Sequence, residues 1–164
     1  TFVHTPGNCP GQVCIIIGDV LISADHILGR TTPHQSPESI THYNGLGHYL
    51  ESLRTVSRIG GLRLALGGHE EPITDVYGRI IAIHESHQRK LGRVLDAIRT
   101  SEQPCTISDI SKVIYPDRGG YDVLLALEEV GAHVEYLYER GMIEVSNLGE
   151  IEREDNPAIL YRLT

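Results

Sequence analysis

Residues 12–26 read QVCIIIGDVLISADH, and this stretch predicts the central element of the fold. It holds two runs of β-branched and apolar residues, Val13–Ile17 and Val20–Ala24, separated by Gly18-Asp19. Two residues of this kind between β-rich runs are typical of a tight hairpin turn. We therefore expect a hairpin of two buried strands that ends at Asp25.

The segments that follow the hairpin alternate between helical and extended patterns. A loop rich in Gly, Thr, Pro and His extends to about Gln35, and a helical stripe ends at Gly60-Gly61. The apolar positions of this stripe are Leu46, Leu50, Leu53 and Val56. A short strand over residues 62–66 then leads to Gly67-Gly68-His69. A second helix should cover residues 80–98, with His84 and His87 on or near its apolar stripe as core histidines without a catalytic role.

The last third of the chain has a different pattern. Thr106 and Asp109 have the spacing of an N-terminal helix cap, which predicts a helix to about Tyr115. Two further helices are expected, one over residues 121–127 and one from about residue 130 to Gly141. Strands over residues 142–145 and 158–163, with a turn at 147–149, would complete a winged-helix pattern.

The composition supports two domains and excludes several classes of protein. The chain has 164 residues, of which 40% are hydrophobic and 22% charged, so it is neither a disordered tail nor a membrane-spanning segment. Residues 1–100 hold nine basic and nine acidic side chains, whereas residues 101–164 hold five basic and thirteen acidic. We predict domains at 1–100 and 101–164. The acidic helix after residue 127, with four glutamates against one arginine, argues against phosphate-backbone binding.

Three polar side chains stand where a predicted strand gives way to a glycine-containing loop. They are His4 before Thr5-Pro6-Gly7, Asp25 after the hairpin, and His69 after Gly67-Gly68. Strand ends allow a rigid scaffold to direct side chains towards one point, and glycine lets the backbone approach a metal. Imidazole and carboxylate are both good zinc ligands, and a water held between two such ions becomes a nucleophile near neutral pH.

These motifs, in this order and spacing, resemble the third, fourth and fifth metal motifs of the metallo-β-lactamase superfamily. The resemblance extends to the Tyr49-Leu50-Glu51-Ser52-Leu53 helix and to a C-terminal winged helix. It implies an αββα sandwich, of which this chain would be the C-terminal half, and a site for two zinc ions or other divalent metals. His4 would complete the first metal's histidines, Asp25 would bridge both ions, and His69 would bind the second.

The sequence also departs from the family pattern. No His-x-His-x-Asp-His motif is present, so the isolated chain is expected to be inactive and to pair with a missing N-terminal half or with itself. Asn8, Ala24 and Glu70 replace a common His, Gly and Gly. His26 and Glu70 are candidates for supporting a metal ligand or contacting substrate, with no catalytic group expected beyond the metal ligands.

The resemblance implies a hydrolase in which metal-bound hydroxide attacks an ester or thioester, a lactone or a phosphodiester. A small ester or thioester is the preferred substrate, and RNA is the second candidate because the winged-helix branch includes endoribonucleases. The alternatives are a non-catalytic self-association module and a winged-helix regulator. The sparse cysteines, Cys9, Cys14 and Cys105, favour a cytoplasmic location, with no membrane partner.

Overall fold

The computed structural model describes residues 1–164 as a mixed α/β protein with two compact units, Thr1–Gln88 and Arg89–Thr164. The first unit holds four strands: β1 (Phe2–His4), β2 (Val13–Ile17), β3 (Val20–Ala24) and β4 (Leu64–Gly67). It also holds helix α1 (Leu46–Ser57) and the start of α2 (Val76–Thr100), within which the division between the units falls.

The four strands form one sheet in the order β1-β2-β3-β4. The pairs β1/β2 and β2/β3 are antiparallel, whereas β3/β4 is parallel. The predicted hairpin is confirmed, with Gly18 in the turn at φ 61°. Strands β1, β3 and β4 therefore run in the same direction, and their C-terminal ends lie at one edge of the sheet.

The expectation that both hairpin strands are buried is wrong for one of their two faces. Cys14, Leu21 and Ser23 are fully buried on one face, as the period of two in a strand allows. Ile17 is 63% exposed and Ile22 is 36% exposed on the other. The sequence shows only apolar side chains on both faces, and it does not show which face this chain covers.

The apolar stripe predicted for helix α1 is confirmed at Leu46, Leu53 and Val56, which are buried. Tyr49 is fully buried on the same helix, and its hydroxyl donates a 2.8 Å hydrogen bond to the carbonyl of His26. Of the two histidines expected in the core of α2, His87 is buried with its ring 5.4 Å from that of Tyr49, but His84 is exposed.

The second unit contains α3 (Ile107–Ile114), α4 (Tyr121–Glu139), β5 (Ile143–Val145), α5 (Leu148–Ile151) and β6 (Tyr161–Leu163). The capping box at Thr106 and Asp109 is confirmed. The two helices expected after residue 120 are one continuous helix, because α4 runs without a break through residues 128 and 129 between them. Strands β5 and β6 pair antiparallel. No helix of the chain combines the length and the apolar character needed to cross a membrane.

One glutamate of α4 differs from the sequence-based expectation of an acidic surface. Glu129 is 8% exposed, and its carboxylate accepts a hydrogen bond from the Lys90 ammonium at 2.5 Å. Its charge is compensated inside the unit, so it contributes little to the acidic surface of the helix.

Candidate metal centre

The shared edge of β1, β3 and β4 places the three predicted ligands at corresponding strand ends. His4 is the last residue of β1, Asp25 follows β3, and His69 follows β4 after Gly68. Ala24 pairs with Gly67, and the backbone N–H of Gly68 donates to the carbonyl of Ala24 at 2.8 Å. The loops that carry Asp25 and His69 are therefore joined directly where they leave the sheet.

Asp25 and His69 approach each other closely. The Nε2 atom of His69 lies 3.5 Å from Oδ1 of Asp25, and the His69 and Asp25 side chains are 72% and 44% exposed. One imidazole nitrogen and one carboxylate oxygen thus lie side by side and open to solvent. This pair has the donor chemistry and the spacing to share one zinc ion, with its remaining positions open to other ligands.

Gly68 provides the space for the carboxylate of Asp25. A Cβ atom built at Gly68 would lie 2.7 Å from Oδ1 of Asp25, closer than real Cβ contacts allow. The sequence analysis placed Gly68 in the Gly67-Gly68-His69 motif but assigned it no separate role. Its position immediately before a candidate metal ligand is the feature of the sequence that could have indicated this role.

The backbone bends where Asp25 leaves the sheet. Pairing between β3 and β4 shifts register between Ile22 and Ala24, and Ala24 has φ 44°, in the left-handed region. An L-residue other than glycine pays a conformational cost there. The family pattern has glycine where this chain has Ala24, and the left-handed backbone at Ala24 is the conformation that favours glycine.

His4 lies at the same edge but apart from the other two ligands. Because β2 separates β1 from β3, those strands are two spacings apart, about 10 Å. The Nε2 atom of His4 is 2.8 Å from the carbonyl oxygen of Pro10, which holds the ring by a hydrogen bond and leaves Nδ1 for a ligand. The structure thus brings two of the three predicted ligands together.

His26 is fully buried behind the edge. Its ring lies edge-on to Tyr49 with centroids 5.2 Å apart, and neither ring nitrogen makes a well-formed hydrogen bond. Burial lowers the pKa of His26 to about 4, and the Ser52 backbone offsets this only in part. The imidazole is therefore neutral at pH 7, and it packs against the Tyr49 ring.

Glu70 ties two loops together. It has φ 72°, and its carboxylate accepts hydrogen bonds from the backbone N–H groups of Arg30 and Thr31 and, at 2.9 Å, from the Thr31 hydroxyl. The pKa of Glu70 is lowered, mainly by the hydrogen bond from the Arg30 backbone amide. Nothing in the sequence indicated these partners, which are about 40 residues away along the chain.

With this geometry in place, comparison with solved structures identifies the fold. The fold is that of metallo-beta-lactamase family proteins. A metallo-beta-lactamase family protein from Thermus thermophilus superimposes with a TM-score of 0.80 and 27% identity over 99% of this chain. A beta-lactamase domain protein from Burkholderia ambifaria gives a TM-score of 0.83 and 25% identity, also over 99%.

The chain spans about half the length of these structures, 48% of the first and 47% of the second. No protein-family model and no curated protein matches the sequence. The superfamily expected from the three motifs is thus supported by the fold of the whole chain.

Proposed function

We propose that this chain is part of a metal-dependent hydrolase, in which Asp25 and His69 hold a divalent metal ion, preferably zinc. The observation that carries the proposal is the 3.5 Å approach of the Asp25 carboxylate to the His69 imidazole in a metallo-beta-lactamase fold. Bound divalent ions supply Lewis acidity and an activated water.

The residues of this chain have separate tasks in the proposed site. Asp25 offers two carboxylate oxygens, and one of them is already directed to His69. His4, fixed by the Pro10 carbonyl, would present Nδ1 at the β1 end of the edge. His26, which follows Asp25 and packs against Tyr49, would act as a neutral packing group rather than as an acid or a base.

The proposed substrate is a small ester or thioester, with RNA as the second candidate. The charge distribution supports this order, because residues 101–164 carry thirteen acidic and five basic side chains. A polyanion would be repelled by such a unit. We take residues 101–164 to be a winged-helix-like domain with a structural role, in line with α3, α4 and the β5/β6 pair.

The exposed face of the sheet supports a proposal about partners. Phe2, Ile15, Ile22 and Leu66 form one apolar row across all four strands. Phe2 is 75% exposed, and Ile17 in the next row is 63% exposed. An apolar sheet face needs a covering layer. We propose that a polypeptide equivalent to the unmatched half of the two similar structures covers it and supplies the remaining metal ligands.

A reconstitution experiment tests both parts. The zinc-loaded chain is mixed with a polypeptide that carries a His-x-His-x-Asp-His motif in the same fold, and hydrolysis of thioester, lactone and phosphodiester probes is measured. We expect thioester turnover that Asp25→Asn and His69→Ala abolish and that His84→Ala, a change at an exposed position of α2, leaves intact.

Equal turnover in all variants would contradict the ligand assignment. Sedimentation of the chain alone tests whether a second copy of the chain, rather than a different polypeptide, covers the exposed sheet face. A stable dimer that excludes the added polypeptide would show that a second copy occupies the face instead.

A further inference from the structure

The two loops that carry Asp25 and His69 are joined by side chains as well as by the sheet. Beyond Asp25, the chain turns through residues 27–31, and the backbone amides of Arg30 and Thr31 both donate to the Glu70 carboxylate. The Thr31 hydroxyl donates to the same carboxylate. Glu70 is the residue immediately after His69, so this contact begins one residue from a candidate ligand.

Arg79 of α2 supports the same turn from another side. Its Nε donates to the carbonyl of Leu28 at 2.5 Å, and its Nη2 donates to the carbonyl of Thr31 at 2.6 Å. A Cβ built at Gly29 would lie 3.1 Å from the Glu71 carbonyl, so the two loops also meet backbone to backbone. Glu70 thus binds the backbone N–H groups of the turn, and Arg79 binds its backbone carbonyl groups.

The backbone of Glu70 shows that this contact is kept against a conformational cost. Its φ of 72° lies in the left-handed region, where glycine is favoured over any other residue. A glycine would relieve the backbone but would remove the three hydrogen bonds to the carboxylate. The glutamate side chain therefore provides hydrogen bonds to the neighbouring loop that a glycine at this position could not make.

We propose that Glu70 is a positioning residue, which fixes the His69 loop against the Asp25 loop so that the two side chains are preorganised for one metal ion. The inference rests on the proposed metal site at Asp25 and His69 and specifies how it is maintained. His69 is largely exposed, Asp25 is half-buried, and the two are carried on separate loops, so a tie next to His69 limits how far they move apart. Groups that orient metal ligands typically change metal affinity 10- to 100-fold.

Cobalt(II) titration of the whole chain, followed by visible absorption, tests this inference. The variants are Glu70→Gln, Glu70→Gly and Asp25→Asn, with Glu71→Gln as the matched control at the exposed neighbouring glutamate. We expect Glu70→Gln and Glu70→Gly to weaken binding 10- to 100-fold and to shift the absorption bands. Glu71→Gln should stay within twofold of wild type.

Two further readouts separate positioning from folding. Glu70→Gly should stay folded with an unfolding temperature close to that of wild type, because relief of the left-handed backbone offsets the loss of the hydrogen bonds. Hydrogen exchange at the Arg30 and Thr31 amides should accelerate in both Glu70 variants. Wild-type cobalt affinity and spectrum in Glu70→Gly would overturn the inference while leaving the metal site standing. If wild type and Asp25→Asn bind cobalt equally, or neither binds it, the proposed site itself fails and the inference fails with it.

Discussion

Replacement of Gly68 by alanine should damage metal binding without damaging the fold. The added Cβ would lie 2.7 Å from Oδ1 of Asp25, whereas ordinary contacts begin at 3.4 Å, so the carboxylate oxygen must move by about 0.7 Å. The other neighbours of that Cβ are atoms of Ala24 at 3.5 and 3.7 Å, which are ordinary contacts. The backbone therefore accommodates the methyl group, and the carboxylate does not.

The size of the effect follows from the tolerance of metal ligands. Ligand distances in protein metal sites hold to within about 0.2 Å, so a displacement of about 0.7 Å is several times too large. We expect zinc affinity to fall about 10- to 100-fold. The free energy of unfolding should change by less than about 1 kcal/mol, since Gly→Ala at a compatible backbone restricts only the unfolded chain.

Isothermal titration with zinc and chemical denaturation measure the two quantities separately. Gly47→Ala is the matched control, because a Cβ at Gly47 meets nothing within 4 Å. Its zinc affinity should equal that of wild type. If Gly68→Ala binds zinc as tightly as Gly47→Ala does, then Asp25 is not a ligand in the position described.

Four other predictions concern the rest of the molecule. Ala24→Gly should raise the free energy of unfolding by up to about 1 kcal/mol in urea denaturation, because Ala24 has a left-handed φ; a loss would contradict this. Glu129→Gln should lower the free energy of unfolding by about 2–3 kcal/mol, because it removes the carboxylate beside the Lys90 ammonium. An unchanged urea denaturation midpoint would show that this ion pair contributes nothing to stability. Burial is the main cause that lowers the pKa of His133, so the folded state binds fewer protons than the unfolded chain. Stability should therefore fall as pH drops below about 6.5, and less so in His133→Gln. Residues 101–164 should not shift duplex DNA in a low-salt gel, and tight, salt-sensitive binding would favour the regulator hypothesis.

The sequence predicted those parts of the fold that depend on local pattern. The hairpin around Gly18, the capping box at Thr106 and the stripe of α1 are set by residues close together in the chain. The break expected between residues 127 and 130 was wrong, since α4 continues through them from Tyr121 to Glu139.

The sequence indicated the candidate ligands and the candidate supporting residues His26 and Glu70, but not the contacts that these supporting residues make. His4, Asp25 and His69 stand beside glycines at strand ends, a pattern visible in the sequence. The roles of Glu70 and Gly68 depend on contacts made across the sheet edge, between segments about 40 residues apart. Residue type alone does not show such contacts, and neither does it show that a glutamate such as Glu129 is buried against a lysine.

Anomalous diffraction from a zinc-soaked crystal of the chain is the most direct measurement of the central claim. We predict a peak at the zinc edge within about 2.0–2.2 Å of both Oδ1 of Asp25 and Nε2 of His69. The peak should be absent in crystals of Asp25→Asn soaked in the same way. A zinc peak elsewhere, with none between these two side chains, would contradict the claim that they form the metal-binding part of a hydrolase site.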